Sequence, residues 1–411
     1  MQIAGLDIGT QNIKLIVADL NNKGDLRILK VLRVPSGGMR RGAIVDMDEV
    51  VAATSDIFSL LRKQYKAAGR NIFVNINGPQ ITTHISKGIV AVSRADSEIY
   101  KDDIDRVIKA SQAISLSPNR RIIHTITKEF VVDGIRDIAD PAGLVGNRLE
   151  VESLLVDAFD QYIKNLTRLV EVHGGRIGGL ILGVLAGGKA ALGKQQMELG
   201  VALIDVGAFT TGMSVYEEGK LLHAAVIPIG ANHITNDIAV GFKMPVVGAE
   251  NLKLNFGYAV SRQVAPKESV ELRLVDAGMR SGISRRYLSE IIESRFAEIL
   301  DFVNNELKKI GKSGQLPGGA VLIGGGSKLP GVAELAKQEL RLSSELGMIG
   351  HSFGIDDPDY HGELEDPEFI CSAGLVLWGA EESKKGSAIG FRDWGNPVTS
   401  FLKSFVRNLL P

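Results

Sequence analysis

The chain has 411 residues, of which 45% are hydrophobic and 23% are charged, and its formal net charge is −1. This size and hydrophobicity predict a well-cored globular protein of two or more domains. The near-zero net charge gives no electrostatic reason to expect nucleic acid as a partner. The single cysteine, Cys371, excludes an internal disulfide, fits a reducing cytoplasm, and is expected to be a small core residue.

The N-terminal sequence MQIAGLDIGTQNIKLIV lacks the basic region and the small-residue cleavage site of a signal peptide. No uninterrupted apolar run reaches the roughly 18 to 20 residues that a spanning helix needs. We therefore expect a protein that is neither secreted nor integral to a membrane.

One strand pattern occurs twice along the chain. Three strands joined by tight turns are predicted by QIAGLDIG, NIKLIVADL and DLRILKVLRV, and again by VALIDVG, GMSVY and LLHAAVIPI. A helix follows each copy, from Asp46 or Asp48 to Gly69 in the first and over about 232–240 in the second. Both copies end in strand–helix units, with GGLILGVL in the first and GAVLIGGG before a helix from Pro330 in the second. The repeat predicts two similar α/β halves.

Two other regions have their own patterns. Residues 81–159 interrupt the first half with the strand-like segments ISKGIVAVS, RIIHTITKEFVVDG and RLEVESLLVDAF and a helix over about 101–115, which predicts a small α+β insert. Apolar residues at helical spacing predict a long helix from about Arg285 to Ile310. The stretch GHSFGIDDPDYHGELEDPEF is typical of a loop.

In each repeat the first strand ends in an Asp-x-Gly turn, which is Asp7-Ile8-Gly9-Thr10 in the first copy and Asp205-Val206-Gly207 in the second. Glycines at strand ends let backbone amides approach phosphate oxygens closely. The side chains of Asp7 and Asp205 can hold a hydrated Mg²⁺ between them. The turns also offer the hydroxyls of Thr10, Thr210 and Thr211 and the ammonium of Lys14. The alternative is two ordinary β-turns, but a matched pair favours a phosphate site.

A third glycine-rich turn, Gly324-Gly325-Gly326-Ser327, lies between a predicted strand and helix. It lets a nucleoside lie against the backbone beside a helix N-terminus. Its spacing does not fit G-x-G-x-x-G, and the chain contains no P-loop motif.

Taken together, these stretches resemble the actin, sugar-kinase and heat-shock-chaperone superfamily. GLDIGTQNIK and LIDVGAFTT resemble its two phosphate loops, VLIGGGSKLPG its adenosine motif, and LGVLAGGKAAL and EFICSAGLVLWG its two connecting helices. Within the superfamily the closest resemblance is to the FtsA family of bacterial cell-division proteins. RGAIVDMDEVV, DPAGLVGNRLEVE and PIGANHITNDIAVGF carry it, and it covers essentially the whole chain.

The resemblance implies an α/β fold of duplicated actin-like, ribonuclease H-like halves with a nucleotide cleft between them, a small α+β insert and a C-terminal amphipathic helix. It implies that the protein binds ATP and Mg²⁺ and polymerises with itself. It also implies that the protein binds the C-terminal peptide of FtsZ and tethers FtsZ, with other division proteins, to the cytoplasmic face of the membrane at the division site.

The resemblance also implies where these functions lie. The nucleotide would contact Asp7, Gly9, Thr10, Gln11, Asn12, Lys14, Asp205, Gly207, Thr210, Thr211, Gly324, Gly325, Gly326 and Ser327, with Gly230 and Asn232 near the ribose or phosphates and Glu250 and Lys253 near the adenine. The FtsZ peptide would dock around Arg285, Arg295 and Asn304, for which the alternative is a solvated helix face.

Repeat and resemblance together divide the chain into six parts. These are a first subdomain over 1–80, 160–195 and 368–380, its insert over 81–159, a second subdomain over 196–231 and 311–367, an outer subdomain over 232–310, a flexible linker over 381–395, and the terminal helix over 396–411.

The final segment, NPVTSFLKSFVRNLLP, predicts a lipid-binding helix. Its apolar face contains Val398, Phe401, Leu402, Phe405, Val406, Leu409 and Leu410. Lys403 and Arg407 lie on the other face, where each contributes about 1 kcal/mol against anionic headgroups, and Trp394 suits the headgroup level. Because about 14 helical residues are too few to span a bilayer, we expect the helix to lie in the interface plane. The alternative is a last helix docked on the body.

One departure from the family pattern bears on catalysis. The second phosphate loop of the family is usually Gly-Gly-Gly-Thr-Thr-Asp, whereas this chain has Gly207-Ala208-Phe209-Thr210-Thr211-Gly212. Phe209 adds bulk, and an acid is missing at Gly212. We therefore expect at most a weak ATPase and nominate no catalytic residue.

Other functions of the same superfamily remain open from the sequence. A small-molecule kinase would need a catalytic carboxylate that we cannot nominate. A cytoplasmic pilus-assembly ring protein related to FtsA would leave the terminal apolar helix unexplained. A chaperone is the weakest alternative, because no substrate domain and lid follow the second half.

Overall fold

The computed structural model describes residues 1–271, 282–350 and 360–384, in which strands alternate with helices along the chain. The strands are β1 (Gln2–Ile8), β2 (Asn12–Leu20), β3 (Leu26–Pro35), β4 (Met39–Arg40), β5 (Ala43–Ile44), β6 (Ile72–Ile76), β7 (Thr82–Ala91), β8 (Arg120–Val132), β9 (Ile135–Ile138), β10 (Arg148–Phe159), β11 (Ile177–Leu182), β12 (Val201–Val206), β13 (Thr211–Glu217), β14 (Lys220–Ile227), β15 (Ser269–Glu271), β16 (Gly282–Ser284), β17 (Ala320–Ile323) and β18 (Ser344–Leu346). The helices are α1 (Met47–Gln64), α2 (Lys101–Ser111), α3 (Asp160–Val172), α4 (Gly183–Ala191), α5 (Lys194–Leu199), α6 (Ala231–Phe242), α7 (Val246–Phe256), α8 (Arg285–Lys309), α9 (Val332–Leu340), α10 (His361–Glu365) and α11 (Ile370–Lys384).

Two five-stranded sheets with the same topology form the two halves. The first sheet has the order β11-β6-β1-β2-β3, and the second has the order β18-β17-β12-β13-β14. In each, three strands form an antiparallel meander and two further strands add in parallel beside its first strand. The duplicated α/β body predicted from the repeat is therefore confirmed.

The first strand of each meander, β1 or β12, lies in the centre of its sheet, and its residues are correspondingly buried. In β1 six consecutive residues from Ile3 to Ile8 are buried, and β12 is buried at every residue except Asp205, which is half-buried. Continuous apolar runs are typical of strands covered on both faces, whereas the edge strand β3 alternates buried and exposed positions. In both β1 and β12 an aspartate, Asp7 or Asp205, is the second-last residue of the strand, just before the turn.

The predicted α+β insert is an antiparallel sheet of order β7-β10-β8-β9, with α2 packed against β7 and β10. Its own small core includes Val107, Phe130 and Val151. The insert also contacts the second half: the Thr83 hydroxyl donates to the carbonyl of Ala224 at 2.9 Å. It therefore rests against both halves of the body.

Helices α6, α7 and α8 form an outer layer on the second half. The hydroxyl of Ser284 caps α8 by accepting from the backbone N–H of Tyr287. Ile291 of the predicted apolar stripe of α8 is half-buried. The other members of the stripe are buried, and they are Leu288, Ile292, Phe296, Ile299, Leu300, Val303 and Leu307. The long helix expected from Arg285 is confirmed with its end at Lys309.

Several predicted boundaries were wrong. Helix α1 ends at Gln64 instead of Gly69, because Tyr65 leaves helical geometry and residues 68–70 form a separate 3₁₀ turn. Helix α2 ends at Ser111, four residues before the predicted end. The predicted loop before Cys371 contains the short helix α10, and α11 continues through Lys384, so the first four residues of the segment predicted as a linker are helical.

Helices α4 and α11 join the two halves and cross each other closely. A Cβ atom on Gly374 of α11 would overlap the backbone carbonyl of Ala186 on α4. A Cβ atom on Gly5 of β1 would likewise overlap the carbonyl oxygen of Ser372. Glycine at these positions allows the backbones to approach at the junction between the halves.

We expect Gly374→Ala to destabilise the protein by about 1–3 kcal/mol, because the added methyl group forces the crossing helices apart. Thermal and urea unfolding would measure the change. Gly362→Ala is the matched control, since a Cβ atom there meets nothing within 4 Å and alanine favours helix by about 1 kcal/mol. Equal stability of the two variants would contradict the close crossing.

Candidate nucleotide-binding cleft

A cavity of about 100 Å³ lies between the two halves, at the carboxyl ends of β1 and β12. It brings together eleven of the residues predicted to bind nucleotide. They are Asp7, Gly9, Thr10, Gln11, Asn12, Lys14, Asp205, Gly207, Thr210, Gly324 and Gly325. Turns separated by almost 200 residues in the sequence therefore form one site.

The first two turns have the same backbone geometry. The N–H of Gly9 donates to the carbonyl of Asn12 at 3.1 Å, and the N–H of Gly207 donates to the carbonyl of Thr210 at 2.9 Å. A Cβ atom on Gly9 or Gly207 would lie 2.5 or 2.9 Å from that same acceptor oxygen. Both turns therefore require glycine, which explains the Asp-x-Gly pattern physically.

Asp7 and Lys14 form a buried ion pair in the first turn, with Nζ and Oδ2 2.8 Å apart. Burial opposes the charge of Lys14, but the charge and hydrogen bond of Asp7, with smaller contributions from Cys371 and Glu368, raise its pKa above the usual value. Lys14 is therefore a permanent cation on the wall of the cavity. Its charge neutralises the carboxylate of the first turn.

Asp205 is the second carboxylate of the cleft, and its environment differs from that of Asp7. Burial, and then the negative charge of Asp7, raise the pKa of Asp205 to about 6. Within the described ranges, no lysine or arginine lies at ion-pair distance from it. The two acids therefore repel each other, and only one of them has a paired cation.

The third glycine-rich turn packs directly on Asp205. A Cβ atom on Gly324 would overlap Oδ1 of Asp205, and Gly324 has a φ of +82°, which favours glycine. The Ser327 hydroxyl is buried and donates to the carbonyl of Gly324 at 2.7 Å. Ser327 thus shapes the turn and does not line the cavity.

Seven of the predicted nucleotide-binding residues lie outside this cavity. The Thr211 hydroxyl is buried and donates to the Ile229 carbonyl, and Lys253 pairs with Glu250 at 2.7 Å. Burial lowers the pKa of Lys253, although the charge of Glu250 opposes the shift. The complete set outside the cavity is Thr211, Gly230, Asn232, Glu250, Lys253, Gly326 and Ser327.

Other residues of the cavity wall had not been predicted as nucleotide contacts. Asn77 directly follows β6, and Gly42 lies in the turn of the β4–β5 hairpin. Phe209 lines the cavity and packs edge-on against His233, with ring centroids 6.1 Å apart. Cys371 is the buried core residue that was expected, but it also lines the cleft, where burial raises its pKa well above the usual value.

A charged cluster at the edge of the cleft connects the two halves. Lys328 of the second half lies 2.7 Å from Asp366 and 3.3 Å from Glu368, which precede α11. Arg33 of β3 lies 3.6 Å from Glu368, and Asn12 donates to it at 3.3 Å. These five residues, here named the cleft clasp, oppose separation of the halves.

The donor set fits the phosphate end of a nucleotide and a divalent cation. Backbone amides of glycine turns, one paired lysine and an aspartate without a paired cation are ligands of that kind. The cavity is smaller than the roughly 300–1,000 Å³ of typical small-molecule pockets. A whole nucleotide would therefore require the halves to move apart, and the cleft clasp resists that movement.

A second, more open groove of about 510 Å³ runs between α6 and α8. Of the three residues predicted to bind a partner peptide, only Arg295 lines it, held by Asp237 at 2.5 Å. Arg285 instead donates to the Phe256 carbonyl and pairs with Glu268, and Asn304 accepts from Ser313. Arg285 and Asn304 therefore do not share this groove with Arg295.

The residues predicted to bind lipid lie outside the described part of the chain. They are Trp394, Val398, Phe401, Leu402, Lys403, Phe405, Val406, Arg407, Leu409 and Leu410. Among the helices that the structure does describe, none combines the length and the apolar composition needed to cross a bilayer.

Comparison with known proteins agrees with this geometry. Among solved structures, the fold matches one titled "PilM-PilN type IV pilus biogenesis complex" with a TM-score of 0.66 and 18% identity over 92% of this chain and 98% of that one. It also matches MreB5 of Spiroplasma citri bound to AMPPNP, with a TM-score of 0.55 and 14% identity over 94% and 97% of the two chains. Fold and cleft define a protein of the actin-like class.

The sequence comparisons identify the family. The model for "Cell division protein FtsA" matches residues 202–374, and the model for the SHS2 domain inserted in FtsA matches residues 78–156. FtsA of Bacillus subtilis is 36% identical over 94% of this chain and 86% of its own length. FtsA of Pseudomonas aeruginosa is 30% identical over 98% and 97% of the two chains. The chain belongs to the FtsA family of cell-division proteins.

We expect Lys328→Met to loosen the cleft clasp and to accelerate amide hydrogen exchange in residues 324–328 and 366–369. The expected factor is about 1.4 to 5, because partly exposed ion pairs contribute roughly 0.2–1 kcal/mol. Lys312→Met is the control, since Lys312 pairs with Glu217 at 2.6 Å within the second half. Unchanged exchange at the clasp would show that these charges do not hold the halves together.

Proposed function

We propose that the cleft binds ATP with Mg²⁺ and that this chain acts as the nucleotide-dependent membrane tether of a division filament. The observation that carries the proposal is the pair of identical glycine turns, each placing an aspartate on the same cavity between duplicated halves. A nucleotide bound there contacts both halves at once. Its binding would therefore be coupled to their relative position.

The chain's own residues suggest a division of tasks within the cleft. Lys14 supplies a fixed positive charge, and the N–H groups of the three glycine turns supply donors for phosphate oxygens. Asp7 and Asp205 supply acceptors for the water shell of Mg²⁺, which usually keeps several waters. The cation would supply the charge that offsets the repulsion between these two carboxylates.

The adenine and ribose would lie further out, toward the outer helices of the second half. Gly230 adjoins the second turn, since a Cβ atom there would come within 2.9 Å of Ala208. The buried pair of Lys253 and Glu250 stands on the neighbouring helix α7. The matching MreB5 structure is bound to AMPPNP, which supports the proposal that this chain also binds a nucleotide.

Hydrolysis in this cleft is proposed to be slow at most. A Cβ atom on Gly212 would lie 3.2 Å from Val184 and 3.8 Å from Asp205. An acid at Gly212, as the family pattern usually has, would thus add a third carboxylate beside Asp205 and crowd α4. Phe209 adds further bulk to the second loop, so the described geometry favours nucleotide binding over turnover.

The expected result for Asp205→Asn is at least a tenfold weaker affinity for a fluorescent ATP analogue in the presence of Mg²⁺, because the cation loses one of its two carboxylates. Fluorescence titration measures the affinity. Asp19→Asn is the control, since Asp19 lies on β2 and pairs with the N-terminal amine outside the cleft. Failure of the unmodified protein to bind Mg·ATP would refute the nucleotide proposal.

We further propose that the terminal segment 396–411 anchors the chain to anionic lipid and that the α6–α8 groove takes the C-terminal peptide of FtsZ. The apolar periodicity of the segment supports the first assignment. The groove is open and exposes Val240 and Tyr287 beside the charged pair of Arg295 and Asp237, which supports the second. One such helix binds lipid weakly, so self-assembly into filaments would multiply many weak anchors.

Vesicle flotation with phosphatidylglycerol-containing liposomes tests the tether and the groove together. Deleting 397–411, or changing Phe401 and Phe405 to Glu, should abolish flotation of the protein, whereas changing Ser400 and Ser404 to Ala should not.

Arg295→Glu should leave flotation intact but reduce capture of an FtsZ tail peptide at least tenfold, relative to Arg286→Glu. Flotation of the truncated chain would contradict the proposal that 396–411 anchors the protein to lipid. Unchanged peptide capture by Arg295→Glu would contradict the proposal that the α6–α8 groove binds the peptide.

A further inference from the structure

Asn75 is a buried amide that no motif of the sequence predicts. It stands on β6, which runs parallel to β1, and its neighbours Ile72, Phe73, Val74 and Ile76 are all buried and apolar. The side chain is 2% exposed. Because burying an amide costs free energy unless its hydrogen bonds are made, its partners explain its presence.

Both ends of the Asn75 amide bond to the first phosphate turn. Its Oδ1 accepts from the backbone N–H of Ile8 at 2.7 Å, and its Nδ2 donates to Oδ1 of Asp7 at 2.5 Å. The Ile8 N–H can only donate, so it fixes which end of the amide faces it. The –NH₂ group is thereby directed at the carboxylate of Asp7.

The carboxylate of Asp7 is therefore held from two sides. Asn75 holds Oδ1, and Lys14 holds Oδ2 at 2.8 Å. A hydrogen bond to a charged group is stronger than one between neutral groups, and here it is shielded from water. Asn75 thus restricts rotation of the carboxylate and leaves Oδ2 as the oxygen that meets Lys14.

We propose that Asn75 is a positioning residue for the cleft: from β6 it locks the Asp7 carboxylate in the orientation in which Asp7 and Lys14 meet the Mg²⁺ and phosphate of a nucleotide. The proposal rests on the nucleotide function proposed above and adds to it a residue outside the three glycine turns. Without the amide, the carboxylate can turn about its Cβ–Cγ bond, and its two oxygens compete for Lys14.

The test compares Asn75→Ala with Val74→Ala. Val74 is the preceding residue of β6, is fully buried, and pairs with Leu6. Both changes remove buried atoms from one strand, but only the first removes the contact with Asp7. Affinity for a fluorescent ATP analogue is measured with Mg²⁺ and with EDTA, and the ratio of the two dissociation constants is the readout.

We expect Asn75→Ala to reduce the Mg²⁺-dependent gain in affinity about tenfold and Val74→Ala to leave it unchanged, with similar losses of thermal stability. In an Asp7→Asn background, Asn75→Ala should cause no further reduction, because the amide acts through that carboxylate. Asn75→Ser, a smaller change that keeps one hydroxyl donor, serves as a second variant if the alanine variant does not fold.

The outcomes separate the two proposals. If the unmodified protein binds the analogue in neither medium, the nucleotide proposal fails. If the unmodified protein shows a Mg²⁺-dependent gain and the folded Asn75 variants retain it in full, Asn75 has only a structural role and the present inference is overturned. A reduction of equal size in Val74→Ala would overturn it as well.

Discussion

Repulsion between two carboxylates is the constraint on which the cleft depends. Asp7 and Asp205 come from the ends of duplicated strands, and the negative charge of one adds to burial in raising the pKa of the other. Lys14 neutralises Asp7, whereas no described cation pairs with Asp205. At neutral pH the cavity therefore holds one carboxylate without a matching charge, and a divalent cation is the simplest group that would remove the imbalance.

Glycine at the contacts around these carboxylates lets the backbone segments pack closely. Gly324 lies against Asp205, and Gly9 and Gly207 close their turns without a Cβ atom. Behind the cleft, Gly374 lets α11 cross α4. The closely crossing helices and the ion pairs at the edge of the cleft are therefore the contacts that any change in the relative position of the halves would alter.

The fold was largely predictable from the sequence, because it depends on local signals. Apolar runs ending in Asp-x-Gly, with short polar turns between them, predict the meanders, and periodic apolar positions predict α8. The errors arose where tertiary contacts decide the structure. The Tyr65 hydroxyl donates to the Leu29 carbonyl across the sheet, at the point where α1 ends. Helix α10 lies in a segment rich in Gly, Asp and Pro, which is typical of a loop.

The site was predictable only in part, for a related reason. The glycine turn motifs predicted Asp7, Asp205 and the glycines, because each motif is contained in a few consecutive residues of the sequence. Asn75, which contacts Asp7 from behind the cavity wall, and Glu368, which lines the cavity, come from other segments of the chain. Only the pairing of β6 with β1 and the position of α11 bring them to the site. A lone Asn within the apolar run IFVNI was the one available signal. Glu250 and Lys253 bond to each other and lie outside the cavity.

The central claim is that a nucleotide bridges the two halves at the opposed aspartates. A crystal structure of the full chain grown with Mg²⁺ and a non-hydrolysable ATP analogue tests it most directly. Phosphate density is expected between the turns that follow β1 and β12, with a cation between Asp7 and Asp205 and with the halves spaced more widely than the 100 Å³ cavity allows. An analogue bound elsewhere, or a cleft that stays closed and empty at saturating ligand, would contradict it.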